Sequence, residues 1–126
     1  MSTQELSLDA IYGLAKKVML ANGCDVANAE ALADIISRAE RDGSHSHGLF
    51  RVPGYVKALR SGKVDGKAKP TIKHITPAVI QVNGHGCFAP LAQSVGLPVL
   101  VEATNQIGIG ALSVSYTHLT LPTKDS

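Results

Sequence analysis

The sequence predicts an α/β protein, in which an N-terminal helical region is followed by the start of a mixed domain with a strand–helix–strand unit. Two observations predict this class. Apolar residues recur at helical spacing through residues 1–62, and over residues 63–114 the pattern changes to short apolar runs around one helix-like stretch. The chain has 126 residues, the length of a single domain. Hydrophobic residues make up 44% and charged residues 17%, which excludes a disordered chain.

The first two helices are bounded by residues that commonly cap helices. Ser7 is a suitable N-cap for the first helix, which we expect to end at Asn22 and Gly23. Asp25 can cap the second helix, and Gly43 ends it. The apolar residues that define the buried faces are Leu8, Ile11, Leu14, Ala15, Val18 and Met19 in the first helix and Leu32, Ala33, Ile36 and Ala39 in the second.

A third, shorter helix is predicted between Val52 and Gly62. Pro53 fits only its first turn, because proline lacks the N–H group that a helix interior needs. The stretch from Lys63 to Pro70 is polar and contains several lysines, so we expect a solvated connector there.

The remaining pattern predicts two parallel strands joined by a helix. Residues 76–82 are rich in β-prone side chains and alternate along the chain, and residues 83–86 predict a turn. Residues 88–105 have a helix-like composition that a glycine and a proline interrupt, and residues 107–114 form a small apolar run typical of a buried strand. This order favours a parallel crossover unit.

Charge and composition exclude several classes of function. Twelve Lys and Arg against ten Asp and Glu leave a net charge of +2, and aromatic residues make up 4%, so we expect no nucleic-acid partner. No apolar run reaches the roughly 20 residues of a membrane helix, and the N-terminus does not resemble a signal peptide. Cys24 and Cys87 lack metal-binding spacing and are typical of free thiols. We therefore expect a cytoplasmic protein with no membrane partner.

The densest polar cluster is the run Arg-Asp-Gly-Ser-His-Ser-His-Gly at residues 41–48. On a helix that starts near Ser46, the side chains of His47, Arg51 and Tyr55 are four residues apart and line one face. An imidazole can exchange a proton near neutral pH. A guanidinium one turn away can hold a carboxylate through two hydrogen bonds. This pair suits a small 2-oxo or 2-imino acid.

Each of these residues has a role in that hypothesis. Arg51 would fix the carboxylate, and His47 would protonate the neighbouring oxygen or nitrogen as hydride arrives. Ser46 can hydrogen-bond the imidazole and set its tautomer, or it can cap the helix. The alternative interpretation is a loop that merely exposes its histidines. No metal site is predicted, because His45 and His47 lack a third ligand at supporting spacing.

A second candidate site is the run from Gly84 to Ala89, which follows a predicted strand and precedes a predicted helix. It imitates the dinucleotide-binding pattern GxGxxA, in which glycines let the backbone approach a pyrophosphate. The acidic residue expected about 20 positions later is missing, since Glu102 lies nearer. The alternative is a plain strand-to-helix turn, and we assign no cofactor-binding residue here.

The stretch RDGSHSHGLFRVPGYVKALRSGKVDGKAKP, residues 41–70, closely resembles the N-terminal signature of the malate/L-lactate dehydrogenase family, which is distinct from the Rossmann-type lactate dehydrogenases. It is most similar to the subgroup of Δ1-piperideine-2-carboxylate and Δ1-pyrroline-2-carboxylate reductases. The resemblance continues through PAVIQVNGHGCFAP, residues 77–90, and fades at about Val114.

The resemblance implies an oxidoreductase that uses NADPH or NADH to reduce a cyclic 2-imino acid such as Δ1-piperideine-2-carboxylate or Δ1-pyrroline-2-carboxylate. Carried over by position, His47 is the proton donor, Ser46 its relay partner, and Arg51 the group that binds the substrate carboxylate. The implied fold is the family's own α/β arrangement, assembled as a homodimer when full length. The family's cofactor does not sit on a Rossmann loop, which counts against the run from Gly84 to Ala89.

Two other functions are also compatible with the sequence. One is a malate/L-lactate-type 2-hydroxy acid dehydrogenase, because the choice of substrate depends on residues beyond this stretch. The other, from a different class, is a small non-catalytic helical interaction module, which would fold cooperatively as a monomer by itself.

Residues 115–126, SYTHLTLPTKDS, depart from the family pattern. Family members are much longer and continue into a loop that contacts the cofactor; His118 lacks the flanking residues of that loop and receives no role. The run VSYTHLTLPT resembles a translated sequencing adapter. We therefore predict a helical region at 1–62 with the SHG motif, the beginning of an α/β domain at 63–114, and a non-native tail at 115–126. The truncated chain should be inactive by itself.

Overall fold

The computed structural model describes residues 3–117, and these form an α/β protein as predicted. The elements in chain order are α1 (Leu8–Ala21), α2 (Val26–Arg41), two 3-10 turns (His45–His47 and Leu49–Arg51), α3 (Val52–Arg60), β1 (Thr71–Thr76), β2 (Val79–Phe88), α4 (Ala89–Ile107) and β3 (Ala111–Thr117). The strands form one mixed sheet in the order β1-β2-β3. β2 and β3 are parallel and joined through α4, which confirms the predicted strand–helix–strand unit, whereas β1 pairs antiparallel with β2.

The first helices begin at the predicted caps. The Ser7 hydroxyl accepts a hydrogen bond from the Ala10 N–H at 3.0 Å, and the Asp25 carboxylate accepts one from the Asn28 N–H at 2.9 Å. Each cap stabilises its helix by about 1 kcal/mol, because it satisfies an N–H group that has no partner within the helix. Pro53 lies in the first turn of α3, also as predicted.

The helices and the sheet share a hydrophobic core. Phe88, at the end of β2, is 1% exposed and belongs to the same buried cluster as residues of α1 and α2. The helical members of this cluster with the largest fully buried side chains are Met19, Leu32 and Ile36. A second cluster lies between α4 and the sheet and includes Val82 and Leu91.

The predicted turn at residues 83–86 is wrong, because β2 continues through it as an irregular strand. The pairing with β3 shifts register between Asn83 and Phe88. His85 and Gly86 both have positive φ angles, of 54° and 89°, and the Asn83 side chain accepts the His85 N–H at 2.9 Å. The glycines and asparagine that suggested a turn therefore form a bulge within the strand.

The connector at residues 63–70 is not simply solvated, as predicted, but partly belongs to the core. Val64 and Ala68 are 3% and 7% exposed. The Gly66 carbonyl accepts the Asp25 N–H at 2.8 Å, and the Asp65 N–H donates to the Gly86 carbonyl at 2.9 Å. These two bonds join the connector to the N-cap of α2 and to the bulge of β2, while its lysines stay in solvent.

α4 is longer than predicted and runs through both residues that break helices. Gly96 is buried because α4 crosses the sheet closely there: a Cβ atom at this position would lie 2.6 Å from Val82 Cγ2. Pro98 lies inside the same helix. The helix ends at Gly108, whose φ of 100° only glycine adopts readily. β3 consequently begins at Ala111, four residues later than expected.

None of the helices in the part of the chain that the structure describes is long and apolar enough to cross a membrane. The predicted tail begins inside β3, in which Ser115 is paired with Asn83. Residues 118–126 lie outside the described residues, so the origin of the tail stays a prediction.

Candidate active site

The segment between α2 and α3 carries the candidate residues. It is not the α-helix that the four-residue spacing of His47, Arg51 and Tyr55 predicts. The two 3-10 turns are separated by Gly48, and the α-helix begins only at Val52. The Gly48 N–H donates to the His45 carbonyl and the Arg51 N–H to the Gly48 carbonyl, both over three residues. The Leu49 N–H donates instead to the Glu40 carboxylate at 2.8 Å. The segment therefore forms two short turns with hydrogen bonds over three residues, and the expected four-residue periodicity is wrong.

Ser46 nevertheless contacts both of the other candidate residues. The Ser46 hydroxyl lies 3.0 Å from His47 Nδ1. Arg51 Nε donates to the Ser46 backbone carbonyl at 2.9 Å. All three side chains are exposed. Among residues 3–117, none provides a hydrogen-bond partner for His47 Nε2 or for the terminal nitrogens of Arg51. The segment therefore presents an imidazole nitrogen and a guanidinium edge to solvent, and both side chains are bonded to Ser46.

The contact between Ser46 and His47 can work in two directions, depending on the imidazole tautomer. When Nδ1 carries the hydrogen, it donates to the serine oxygen and Nε2 is an acceptor for another partner; when Nε2 carries the hydrogen, the serine hydroxyl donates to Nδ1. In the imidazolium form, both nitrogens are donors, so Nδ1 can donate to Ser46 while Nε2 donates outward. This arrangement is chemically suited to a general acid whose proton leaves from Nε2.

Tyr55, which the residue spacing predicts beside His47 and Arg51, packs instead against the hydrophobic core. Its ring contacts Phe88 edge-on, with ring centroids 5.4 Å apart and planes at 80°. Burial raises the pKa of the Tyr55 hydroxyl, and the charge of Arg51 acts in the opposite direction. The contact places the start of α3 beside the carboxyl end of β2. Ligands of open α/β sheets commonly bind beyond the carboxyl ends of the strands.

Glu40 is a residue of this site that the sequence reasoning missed. It lies in the last turn of α2, and its side chain is only 15% exposed. One carboxylate oxygen accepts the Leu49 N–H at 2.8 Å, and the other lies 2.7 Å from His45 Nδ1, which must be the donor because a carboxylate only accepts. The Leu49 N–H and then the His45 imidazole hold the pKa of Glu40 below its ordinary value. Nothing in the spacing indicates these contacts, since they depend on the turns.

The glycines of the second candidate run do not form a phosphate-binding loop. A Cβ atom at Gly84 would lie 2.6 Å from the Ser115 backbone oxygen and 2.9 Å from Cys87 Sγ. Gly84 thus allows β2 to approach its neighbouring strand β3 closely. The space beside its Cα is occupied by Ser115 and Cys87 and leaves no room for a phosphate. The run is part of a strand and its bulge. The described residues at this position therefore do not fit a dinucleotide.

The histidines near the site have protein partners. His45 binds Glu40, and His85 Nε2 lies 2.9 Å from the Thr71 hydroxyl. Within residues 3–117, no group of three or more His, Cys, Asp or Glu side chains is arranged to hold a metal ion. Cys24 and Cys87 are both buried free thiols.

The described residues form a helical region packed on a parallel strand–helix–strand unit, with an exposed imidazole on the segment between two helices, which is an α/β arrangement. The chain belongs to the malate/L-lactate dehydrogenase family, whose family model matches residues 6–120. The predicted family is thereby confirmed, and its members are oxidoreductases. The helical architecture of the alternative, a small non-catalytic interaction module, is wrong, because the described residues include a three-stranded sheet.

Curated relatives are named for reduction of cyclic imino acids. The chain is 44% identical over 109 residues to the Delta(1)-pyrroline-2-carboxylate reductase of Ancylobacter novellus, covering 86% of this chain and 32% of the relative. It is 42% identical over 113 residues to Delta(1)-pyrroline-2-carboxylate reductase 2 of Burkholderia multivorans, covering 90% of this chain and 33% of the relative. The chain spans about a third of the length of the curated relatives it matches.

Solved structures share the fold. The delta1-piperideine-2-carboxylate reductase from Pseudomonas syringae pvar. tomato matches with a TM-score of 0.87 and 33% identity, over 91% of this chain and 36% of that one. The malate dehydrogenase from Entamoeba histolytica matches with a TM-score of 0.84 and 27% identity, over 94% of this chain and 33% of that one.

Proposed function

We propose that this chain provides the proton-donating and carboxylate-binding part of an NAD(P)H-dependent reductase of cyclic 2-imino acids such as Δ1-pyrroline-2-carboxylate or Δ1-piperideine-2-carboxylate. The observation that carries the proposal is the bonded set on the turn: Arg51 Nε on the Ser46 carbonyl, and the Ser46 hydroxyl on His47 Nδ1. The names of the curated relatives support the same substrate class.

The chemistry of the substrate explains why the two groups should be neighbours. In a cyclic 2-imino acid the same carbon carries the carboxylate and the imine nitrogen. A guanidinium that holds the carboxylate through its two terminal nitrogens therefore places the imine nitrogen close by. Arg51 offers that edge, and His47 Nε2 opens from the same turn. In this proposal Arg51 binds and orients the substrate, His47 gives its Nε2 proton to the imine nitrogen, and Ser46 steadies the imidazole.

Reduction of the carbon–nitrogen double bond needs a hydride at the carbon and a proton at the nitrogen. The nicotinamide of NADH or NADPH supplies the hydride and is oxidised to NAD⁺ or NADP⁺. We place the nucleotide outside the run from Gly84 to Ala89, whose backbone is packed against β3. For the whole protein we propose a cytoplasmic location, as the sequence composition suggests, and a homodimer, as the family resemblance implies.

A second candidate is a 2-hydroxy acid dehydrogenase of the malate or lactate type. The observation that favours it is the structural match to a malate dehydrogenase at 27% identity. A keto acid carries its oxygen where the imino acid carries nitrogen, so the same imidazole and guanidinium would suit both.

The test uses residues 1–114 of this chain joined to the C-terminal two thirds of the Burkholderia multivorans relative, called here the joined enzyme. It is assayed with Δ1-pyrroline-2-carboxylate, pyruvate and oxaloacetate, each with NADH and NADPH. We expect turnover of the imino acid to be highest, and His47→Ala to lower kcat by about 100-fold or more, the usual contribution of a general acid. Normal turnover by the His47→Ala variant would overturn the proposal, and preference for oxaloacetate or pyruvate would favour the second candidate.

A further inference from the structure

Glu40 makes contacts that the proposed chemistry does not itself explain. Glutamate side chains on helices usually extend into solvent, yet this one is 15% exposed and points toward the turn rather than along α2. Acidic residues elsewhere on α2 form exposed ion pairs: Glu30 with Lys16 and Asp34 with Arg38. Glu40 differs from them, because its two oxygens bind two residues of one short segment.

The two contacts of Glu40 lie on either side of the catalytic candidates. His45 precedes Ser46 by one residue, and Leu49 follows His47 by two. The carboxylate thus bridges the ends of a five-residue segment whose middle holds Ser46 and His47. The Leu49 bond joins the carboxylate to a backbone amide, so the position of the main chain is fixed and not only that of a side chain.

Gly48 provides an independent sign of the same arrangement. It is buried although it lies on a surface turn. A Cβ atom there would collide with the Glu40 carboxylate, and it would lie 2.6 Å from Glu40 Cδ and 2.8 Å from Cγ. The absence of a side chain at this position is therefore what lets the glutamate reach both ends of the segment.

We propose that Glu40 is a positioning residue that, with Gly48, holds the segment from His45 to Leu49 so that His47 and Arg51 face the same substrate. The proposal rests on the proposed function of His47 and Arg51. Glu40 acts through the turn: the segment it bridges also carries the Ser46 carbonyl that anchors Arg51 and the Ser46 hydroxyl that contacts the imidazole. Displacement of the segment should therefore disturb the donor and the carboxylate-binding group together.

The first experiment uses the 126-residue chain and records the imidazole nitrogen and proton signals of His45 and His47 by NMR. In Glu40→Gln the amide oxygen can still accept the Leu49 N–H, but the amide nitrogen can only donate, so the His45 contact is kept only if His45 Nδ1 changes from donor to acceptor. We expect the His47 signals, not only those of His45, to move in this variant. Glu30→Gln is the matched control, since it makes the same change on the same helix and should leave both histidines unchanged. Unmoved His47 signals in Glu40→Gln would overturn the proposal.

The second experiment measures kcat and KM in the joined enzyme. We expect Glu40→Gln to lower kcat by about 10- to 100-fold, the order of loss caused by small misplacements of catalytic groups, with a smaller change in KM. Glu40→Asp should recover part of the loss, and Glu30→Gln should behave as the parent. By itself, Gly48→Ala should lower kcat. In a protein that already carries Glu40→Ala it should cause little further loss of kcat, because both changes disrupt the same contact.

The outcomes separate this inference from the proposed function. If His47→Ala loses activity while Glu40→Gln keeps a normal kcat, only the role of Glu40 is overturned, and the proposed function stands. Full activity in His47→Ala would overturn the proposed function, and the NMR experiment would still decide whether Glu40 holds the segment. Additive effects of Gly48→Ala and Glu40→Ala would also count against the shared contact.

Discussion

Arg51 Nε donates a hydrogen bond to the backbone carbonyl of Ser46 at 2.9 Å. This bond orients the guanidinium against the same turn that carries His47, and it leaves the two terminal nitrogens for a ligand. The relationship between the two side chains is thus set by the main chain of the turn and not by their distance along a helix.

Arg51→Lys should raise the KM for Δ1-pyrroline-2-carboxylate in the joined enzyme. Lysine lacks both the Nε donor and the planar edge that matches a carboxylate. Loss of a charged hydrogen bond worth about 1.5–3 kcal/mol corresponds to a KM increase of about 10- to 100-fold, with a smaller change in kcat. Arg60→Lys is the control, since Arg60 also donates through Nε, to the Asn22 side chain at 3.1 Å. Equal KM values for parent and Arg51→Lys would contradict the carboxylate-binding role.

Ser46→Ala should lower kcat by about 10-fold, because one hydrogen bond of about 1 kcal/mol or slightly more no longer orients the imidazole. The KM should change little, since the Ser46 backbone carbonyl still anchors Arg51. Ser44→Ala changes a nearby serine of the same turn, whose hydroxyl does not cap the turn, and it serves as the control. Steady-state kinetics across both variants would reveal a purely structural role if their kcat values fell equally.

Two glycine-to-alanine changes should alter stability in opposite directions. Gly96→Ala puts a Cβ atom 2.6 Å from Val82 Cγ2, and such overpacking typically costs about 1–3 kcal/mol. Gly13→Ala lies in α1, where the added Cβ meets nothing within 4 Å beyond its chain neighbours and the helix's own backbone, and the lower entropy of the unfolded chain should add about 0.5–1 kcal/mol. Urea unfolding of the 126-residue variants measures both free energies. A destabilised Gly13→Ala or an unaffected Gly96→Ala would show that the packing around α1 or α4 differs from that described.

Cys24 should react very slowly with thiol reagents in the folded chain. Burial, together with the nearby charge of Asp25, raises the pKa of its thiol to about 11. Because the thiolate is the reactive form, only about one thiol in a thousand is reactive at pH 8, and its 5% exposure further limits access. Alkylation at pH 8 with and without urea provides the measurement, and the rate should rise with pH toward the shifted pKa. Comparable rates in both solutions would mean that α1 and α2 do not enclose this residue.

Short-range features of the sequence predict the starts of α1 and α2 and the parallel unit of β2, α4 and β3, but they do not predict β1 or the bulge in β2. Ser7 and Asp25 identified the starts of α1 and α2 because a cap is a short-range interaction. β1 was missed because all six of its residues are exposed, so it lacks the apolar alternation by which a half-buried strand is recognised. The bulge in β2 uses the same glycines and asparagine as a turn, and only pairing with distant strands distinguishes the two.

The chemistry of the side chains selects His47 and Arg51 from the sequence, and their catalytic roles stay a prediction. The structure links both residues to Ser46 through 3-10 turns instead of one helical face. Glu40 also contributes to this geometry, because its carboxylate accepts the Leu49 N–H. The contact joins the Glu40 side chain to the backbone amide of Leu49, nine residues later. It does not depend on a repeating pattern of residue types, so the sequence does not predict it.

The position of Phe88 has a consequence for how the molecule unfolds. Its ring comes from β2 but completes the apolar interior of the helices and rests against Tyr55. A peptide that ended at Gly62 would lack this ring and the buried Val64, and its helices would face water where they now meet aromatic and aliphatic surface. Helices and sheet should therefore melt in a single transition, and excising either half would yield a loosely packed, aggregation-prone product rather than a miniature of the parent.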